Sequence, residues 1–167
     1  MKEIYNSGRL KVEEFTLTLP SGREIERIVV RPGNAVAMLP IEGDYCYLIR
    51  QYRYPIDKYI YEVPAGTMDV GETPAETARR ELIEETRLEA GELFPRGYIY
   101  TTPGYTDEVI YLFEAGDLSF SDKYEPDEDE VIEVVKLRTV DVMRMIKEGE
   151  IVDAKTICLV HRCFFGI

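Results

Sequence analysis

Histidine is nearly absent from this chain of 167 residues: His161 is its only one. A zinc centre built from several histidines is excluded by that count. A Ser-His-Asp triad would hang on this one residue, which sits in the apolar run Ile157-Cys158-Leu159-Val160-His161, where a structural role is the expectation. Cysteine is scarce too. Cys46, Cys158 and Cys163 form no C-x-x-C pair, and an odd number does not read as a disulfide framework. No apolar run approaches the roughly 18 residues of a membrane helix. The start, Met1-Lys2-Glu3-Ile4-Tyr5-Asn6, lacks the apolar stretch of a signal peptide, so a cytoplasmic address is expected. Basic residues are outnumbered 32 to 20 by acids, giving a net charge of −12. That balance argues against nucleic acid or an anionic membrane as partner. An acidic protein still binds a phosphate ester where metal ions reverse the local sign. With 32 carboxylates and one imidazole, acid–base chemistry falls to carboxylates.

What is present is the composition of a globular domain, 45% hydrophobic and 31% charged, at a length that suits one core. Residues 10–19 alternate as a strand, Pro20-Ser21-Gly22 turns, and residues 24–31 return, making an N-terminal hairpin. Further strands are predicted at 35–41, 45–52, 59–63, 97–101, 108–114 and 131–137. Helices are predicted at 74–86, opened by Pro74, and at 139–148 and 153–163. Strands and helices mix without regular alternation. The class is therefore α/β or α+β, with a mixed sheet covered by helices. Residues 1–33 read as a hairpin element and 34–167 as the main domain.

The helix around Ala78 carries the chemistry. At 100° per residue, Ala75, Ala78, Leu82 and Thr86 share a small, partly apolar face, while Glu81, Glu84 and Glu85 gather on another. Like charges at i, i+3 and i+4 destabilise an isolated helix by some tenths of a kcal/mol per pair. A solvated acidic face is the commoner origin of such a pattern. Here, however, the acids cluster instead of alternating with lysines, and a Gly-containing acidic loop, Asp69-Val70-Gly71-Glu72, precedes them. Hard oxygen donors on a rigid element are what magnesium or manganese prefers.

The segment Gly66-x5-Glu72-x7-Arg80-Glu81-Leu82-x-Glu84-Glu85-x-x-Leu88 resembles the Nudix box, the signature of Nudix hydrolases, at eight of nine specified positions. The departure is Arg87, where the family has a glycine that ends the helix with positive φ. A side chain with a Cβ costs on the order of 1 kcal/mol there, unless the helix exits differently. Flanking residues are similar to the ADP-ribose pyrophosphatase branch: Arg50-Gln51-Tyr52-Arg53-Tyr54-Pro55, Glu62-Val63-Pro64-Ala65-Gly66, Thr102-Pro103-Gly104-Tyr105-Thr106-Asp107-Glu108 and Val152-Asp153-Ala154-Lys155-Thr156. Pro103 falls sixteen residues after position 87, where that branch has a proline. The resemblance covers most of the chain from Ala35 onward.

It implies a Nudix-type α/β/α sandwich and hydrolysis of the diphosphate bridge of ADP-ribose to AMP and ribose 5-phosphate. By resemblance, magnesium, with manganese as an alternative, is held by Glu81, Glu84, Glu85 and the Ala65 carbonyl. Arg80 is implied to pair with a box acid such as Glu72. A catalytic base comes from the acidic loop Glu125-Pro126-Asp127-Glu128-Asp129-Glu130, with Glu128 favoured and Glu130 next. Arg53, Pro103, Tyr105 and Glu108 are the candidate substrate contacts; for Arg53 an ion pair, and for the tyrosines plain packing, are the competing readings. Branch members are homodimers whose N-terminal strands reach the partner's site, and an exposed hairpin edge suits such pairing. Competing functions are hydrolysis of GDP-mannose or another nucleoside diphosphate sugar, and a nucleotide sensor without turnover. The intact Glu81, Glu84 and Glu85 argue against the sensor, and a purely structural acidic helix is remote.

Overall fold

The computed structural model describes residues 1–125 and 131–165. The predicted hairpin is present as β2 (Lys11–Thr18) and β3 (Glu24–Arg31), paired antiparallel from Lys11↔Arg31 to Thr18↔Glu24. A strand not anticipated, β1 (Lys2–Asn6), adds to β2 and makes a three-stranded sheet. It is exposed along its whole length, so no buried face stamped a period on its sequence.

The main sheet has seven strands. They are β4 (Ala35–Glu42), β5 (Tyr45–Arg53), β6 (Lys58–Glu62), β7 (Ala65–Thr67), β8 (Leu88–Tyr100), β9 (Val109–Phe120) and β10 (Ile132–Arg138). The order is β10-β5-β4-β9-β8, with β6 on β5 and β7 on β4. Only β4 and β9 run parallel; the other described pairs are antiparallel, so the sheet is mixed as predicted. Strands β4 and β5 are paired only next to their hairpin, at Ile41↔Cys46 and Glu42↔Tyr45. Beyond it, β4 takes β7 and β9 as neighbours while β5 takes β6 and β10, so the sheet opens into two halves.

Helix α1 (Pro74–Thr86) covers one face and α2 (Thr139–Glu148) with α3 (Ala154–Phe165) the other. Alternation along β4 serves both cores. Val36 and Met38 pack with Ala78 and Leu82 of α1, whereas Ala37 and Leu39 pack with Val142, Leu159 and Val160 of α2 and α3. This is the α/β/α sandwich. The N-terminal sheet meets the main domain through the Val30 N–H, which donates to the Tyr105 carbonyl at 2.8 Å, and through an Arg31–Asp107 ion pair.

Helix α1 has the bounds read from the sequence, and its start explains why. Thr73 accepts from the Glu76 N–H at 3.3 Å, and the Glu76 carboxylate accepts from the Thr73 N–H at 2.8 Å, a reciprocal cap in front of Pro74. One detail differs: Ala75 is exposed, and Ile83 and Glu85 join Ala78 and Leu82 inside. Strands β8 and β9 are longer than predicted. The strand predicted at 97–101 is the end of β8, and residues 88–96 join it through a register shift between Pro95 and Tyr98, with Gly97 at φ +82°.

Candidate active site

A cavity of about 1090 Å³ opens beside the parting of β4 and β5. Its wall takes Ala35 and Val36 from β4, Ala65, Gly66 and Thr67 from β7, and Glu81, Glu84 and Glu85 from α1. Arg53, Glu108, Ile132, Val134 and Lys155 also stand on it. Three of the four predicted metal-holding positions are thus carboxylates brought to one wall, and the fourth, Ala65, lies next to them. Glu85 is only 9% exposed, and its carboxylate accepts from the Ala65 N–H at 2.8 Å. That bond fastens the β7 backbone to the end of the acid-bearing face.

Gly66 explains how the helix and β7 come so close. A Cβ built there would overlap the Glu81 carboxyl group itself, so only glycine admits Glu81 against this backbone. Arg80 then collects the remaining charge. Its Nε and Nη2 donate to the two oxygens of Glu72 at 3.0 Å each, and its Nη1 donates to Glu81 at 2.8 Å and Glu84 at 2.9 Å. The Arg80 hydrogen bonds pull the Glu72 carboxyl down to about 2, and the same partners raise the guanidinium above its ordinary value. The pairing of Arg80 with Glu72 expected from the motif is therefore present, and it holds the loop before α1 against the helix.

The donor chemistry fits a hard divalent cation: three carboxylates and adjoining main chain at a glycine cradle. Among the described residues, no three acidic, cysteine or histidine side chains converge on one point as a finished cage. Glu81 and Glu84 are shared with Arg80, and Glu85 with the Ala65 amide.

The candidate substrate contacts divide. Arg53 and Glu108 are on the cavity wall; Pro103 and Tyr105 lie on the exposed β8–β9 loop away from it, where the Tyr105 carbonyl serves the N-terminal sheet. Glu108 accepts from Thr101 Oγ1 at 2.6 Å across the base of that loop. Arg53 forms both halves of the alternative posed from sequence. It faces the cavity and also donates from Nε and an Nη to Glu62 at 2.6 and 2.8 Å. Glu128 and Glu130 lie outside the described residues.

Sequence reasoning missed Glu62. It is 1% exposed, gripped by Arg53 on one side and Lys155 on the other. Burial raises its carboxyl, but the two cations overcome that and leave it below its ordinary value. Asp153 pairs with Lys155 at 3.1 Å and caps α3 by accepting from the Thr156 N–H at 2.9 Å; Thr156 Oγ1 in turn accepts from the Val63 N–H at 2.8 Å. The two stretches that looked like branch signatures, Glu62–Gly66 and Val152–Thr156, are thus one linked unit beside the cavity. A buried charge can be inferred from such paired motifs only once their contact is known.

Residues 31–160 match the NUDIX domain. The chain belongs to the Nudix family. Similar proteins include an ADP-ribose pyrophosphatase of Bacillus subtilis, 38% identical over 160 residues that span 93% of this Nudix chain and 85% of the relative. A methanol dehydrogenase activator of Bacillus methanolicus is 35% identical over 162 residues, 96% and 88% of the two chains. A GDP-mannose pyrophosphatase of Yersinia enterocolitica is 32% identical over 174 residues, 95% and 90% of the two chains. Among solved structures, one described as an ADP compounds hydrolase superposes with a TM-score of 0.87 at 25% identity, covering 99% of this chain and 91% of the other.

Proposed function

We propose that this Nudix chain hydrolyses the diphosphate bridge of ADP-ribose, giving AMP and ribose 5-phosphate. The observation that carries the reading is the glycine cradle at Gly66, which seats Glu81 beside Glu84 and Glu85 on the wall of a cavity large enough for a nucleoside diphosphate sugar. Similarity to the Bacillus subtilis ADP-ribose pyrophosphatase supports the choice of substrate.

Glu81, Glu84, Glu85 and the Ala65 carbonyl would hold magnesium, or manganese in its place. Such a cation supplies charge neutralisation at the diphosphate oxygens and acidifies a bound water. The chain's own residues do the rest. Arg80 braces Glu72, Glu81 and Glu84 so that their mutual repulsion does not splay the helix from the loop. Arg53, pinned by Glu62, turns a fixed cation toward the cavity for a substrate phosphate. A carboxylate after Glu125 accepts the proton from the attacking water, Glu128 first and Glu130 second. Glu108, which stands on the cavity wall, contributes to the substrate side.

The active form is a cytoplasmic homodimer. The β1–β3 sheet leaves Ile4, Tyr5, Leu17 and Ile28 about half exposed, an apolar surface suited to a second copy. Hydrolysis of GDP-mannose is the second reading, favoured by the 32% identity to the Yersinia enzyme. Product identification with ADP-ribose and with GDP-mannose, each with magnesium, separates them. Release of AMP with ADP-ribose ahead in kcat/KM is expected; a tenfold preference for GDP-mannose would reject the substrate assignment.

A further inference from the structure

Position 87 is where this chain leaves the Nudix motif, and its side chain makes contacts that a glycine cannot. Arg87 ends α1 in the left-handed region, φ 60° and ψ 20°, with its N–H donating to the Ile83 carbonyl at 2.8 Å. A Cβ is disfavoured in that conformation, so a residue needed only to stop the helix is better as glycine.

Three hydrogen bonds join this residue to the chain leaving β9. The Arg87 carbonyl accepts from the Ser121 N–H at 3.0 Å. Its Nη1 donates to the Tyr124 carbonyl at 2.7 Å, and its Nη2 to the Glu125 carboxylate at 3.0 Å. The Glu125 side chain is 85% exposed, so that ion pair contributes little. The part-buried bond to the Tyr124 carbonyl fixes the guanidinium fork and gives the contact its direction. Arg87 also stands on the cavity wall, next in sequence to Glu84, Glu85 and Thr86, which stand there too. Beyond the acidic stretch, the chain returns to the same wall at Ile132 and Val134.

We propose that Arg87 is a positioning residue for the hydrolysis: it staples residues 121–125 to the end of α1, so that the chain leading to the candidate base is anchored on the helix that carries Glu84 and Glu85. This rests on the hydrolytic reading above. The staple explains why a strained residue replaces glycine at a helix end, which the capping role alone does not.

The full-length R87G and R87K proteins test it by thermal melting, amide hydrogen exchange across residues 119–125, and steady-state kinetics on ADP-ribose with magnesium. R87G relieves the backbone strain and is expected to melt at or above the wild-type temperature. Its amides in that stretch should exchange at least tenfold faster, and its kcat should fall at least tenfold with KM within threefold. R87K keeps the charge and one donor group, and its kcat should lie between the two. Unchanged exchange in R87G would overturn the staple, and faster exchange with unchanged kcat would overturn the positioning role. A wild-type chain that leaves both ADP-ribose and GDP-mannose intact would instead reject the hydrolytic reading, while the exchange rates still decide whether the staple exists.

Discussion

Adding one methyl group at Gly66 tests the cradle without touching any charge. In G66A the new Cβ falls inside the Glu81 carboxyl group, and the backbone at Gly66 has no positive φ to complicate the substitution. Either β7 or Glu81 must give way. β7 is tied to β4 at Ala37↔Ala65 and Val36↔Gly66, and to α1 through the Ala65 N–H bond to Glu85. Glu81 is 14% exposed and ends in a rotatable carboxyl, so it is the group that moves. Overpacking of this kind costs about 1–3 kcal/mol, which a folded domain tolerates. Displacement of a catalytic ligand by about 1 Å costs on the order of 100-fold in rate. G66A should therefore stay folded and lose about two orders of magnitude in kcat/KM on ADP-ribose, measured as AMP release with saturating magnesium. G116A is the control, because its Cβ meets only Phe94 at an ordinary 3.7 Å. G66A activity within threefold of wild type, with a comparable melting temperature, would refute the idea that Gly66 exists to admit Glu81.

Replacing Glu62 by Gln removes the buried charge that Arg53 and Lys155 share, so E62Q should lose about 3 kcal/mol of stability by urea unfolding; a loss below about 1 kcal/mol would mean that the remaining partners of the two cations, Asp153 among them, make up for it. The Glu72 carboxyl is held at about 2 in the folded chain, well below its ordinary value, so its contribution to stability is complete above about pH 4.5 and fades as pH falls toward 2. The gap in melting temperature between wild type and E72Q should accordingly be widest near neutrality and narrow below about pH 4.5; a gap that widens on acidification would contradict this sign. E128Q should lower kcat more than it changes substrate affinity, as expected when a group acting in the transition state is lost. An unchanged rate would shift the base to Glu130 or to another acid.

The helix of the Nudix box was legible in the sequence because several signals agree on it. Pro74 opens it, Ala78 and Leu82 give it an inner face, and the acids repeat at helical spacing. The mixed sheet was legible in outline, since most of its strands alternate or end at Gly and Pro. Strand β1 was not, because an exposed strand has no face to pattern. The first part of β8 was not legible either, because the register shift between Pro95 and Tyr98 interrupts the pattern that would have joined it to the strand predicted at 97–101. At the site, spacing alone placed Glu81, Glu84 and Glu85 together. Glu62 and Lys155 are 93 positions apart, and only the docking of α3 next to β6 brings them into contact. The left-handed end at Arg87 could be anticipated from the motif, whereas its partners Tyr124 and Glu125 could not.

Titration of magnesium into the wild-type protein and E85Q, each saturated with a non-hydrolysable ADP-ribose analogue, tests the central claim most directly. Binding at least tenfold weaker in E85Q, with the melting temperature of the metal-free protein little changed, is the predicted result. Equal magnesium affinity in the two proteins would contradict the assignment of the α1 carboxylates as the metal site.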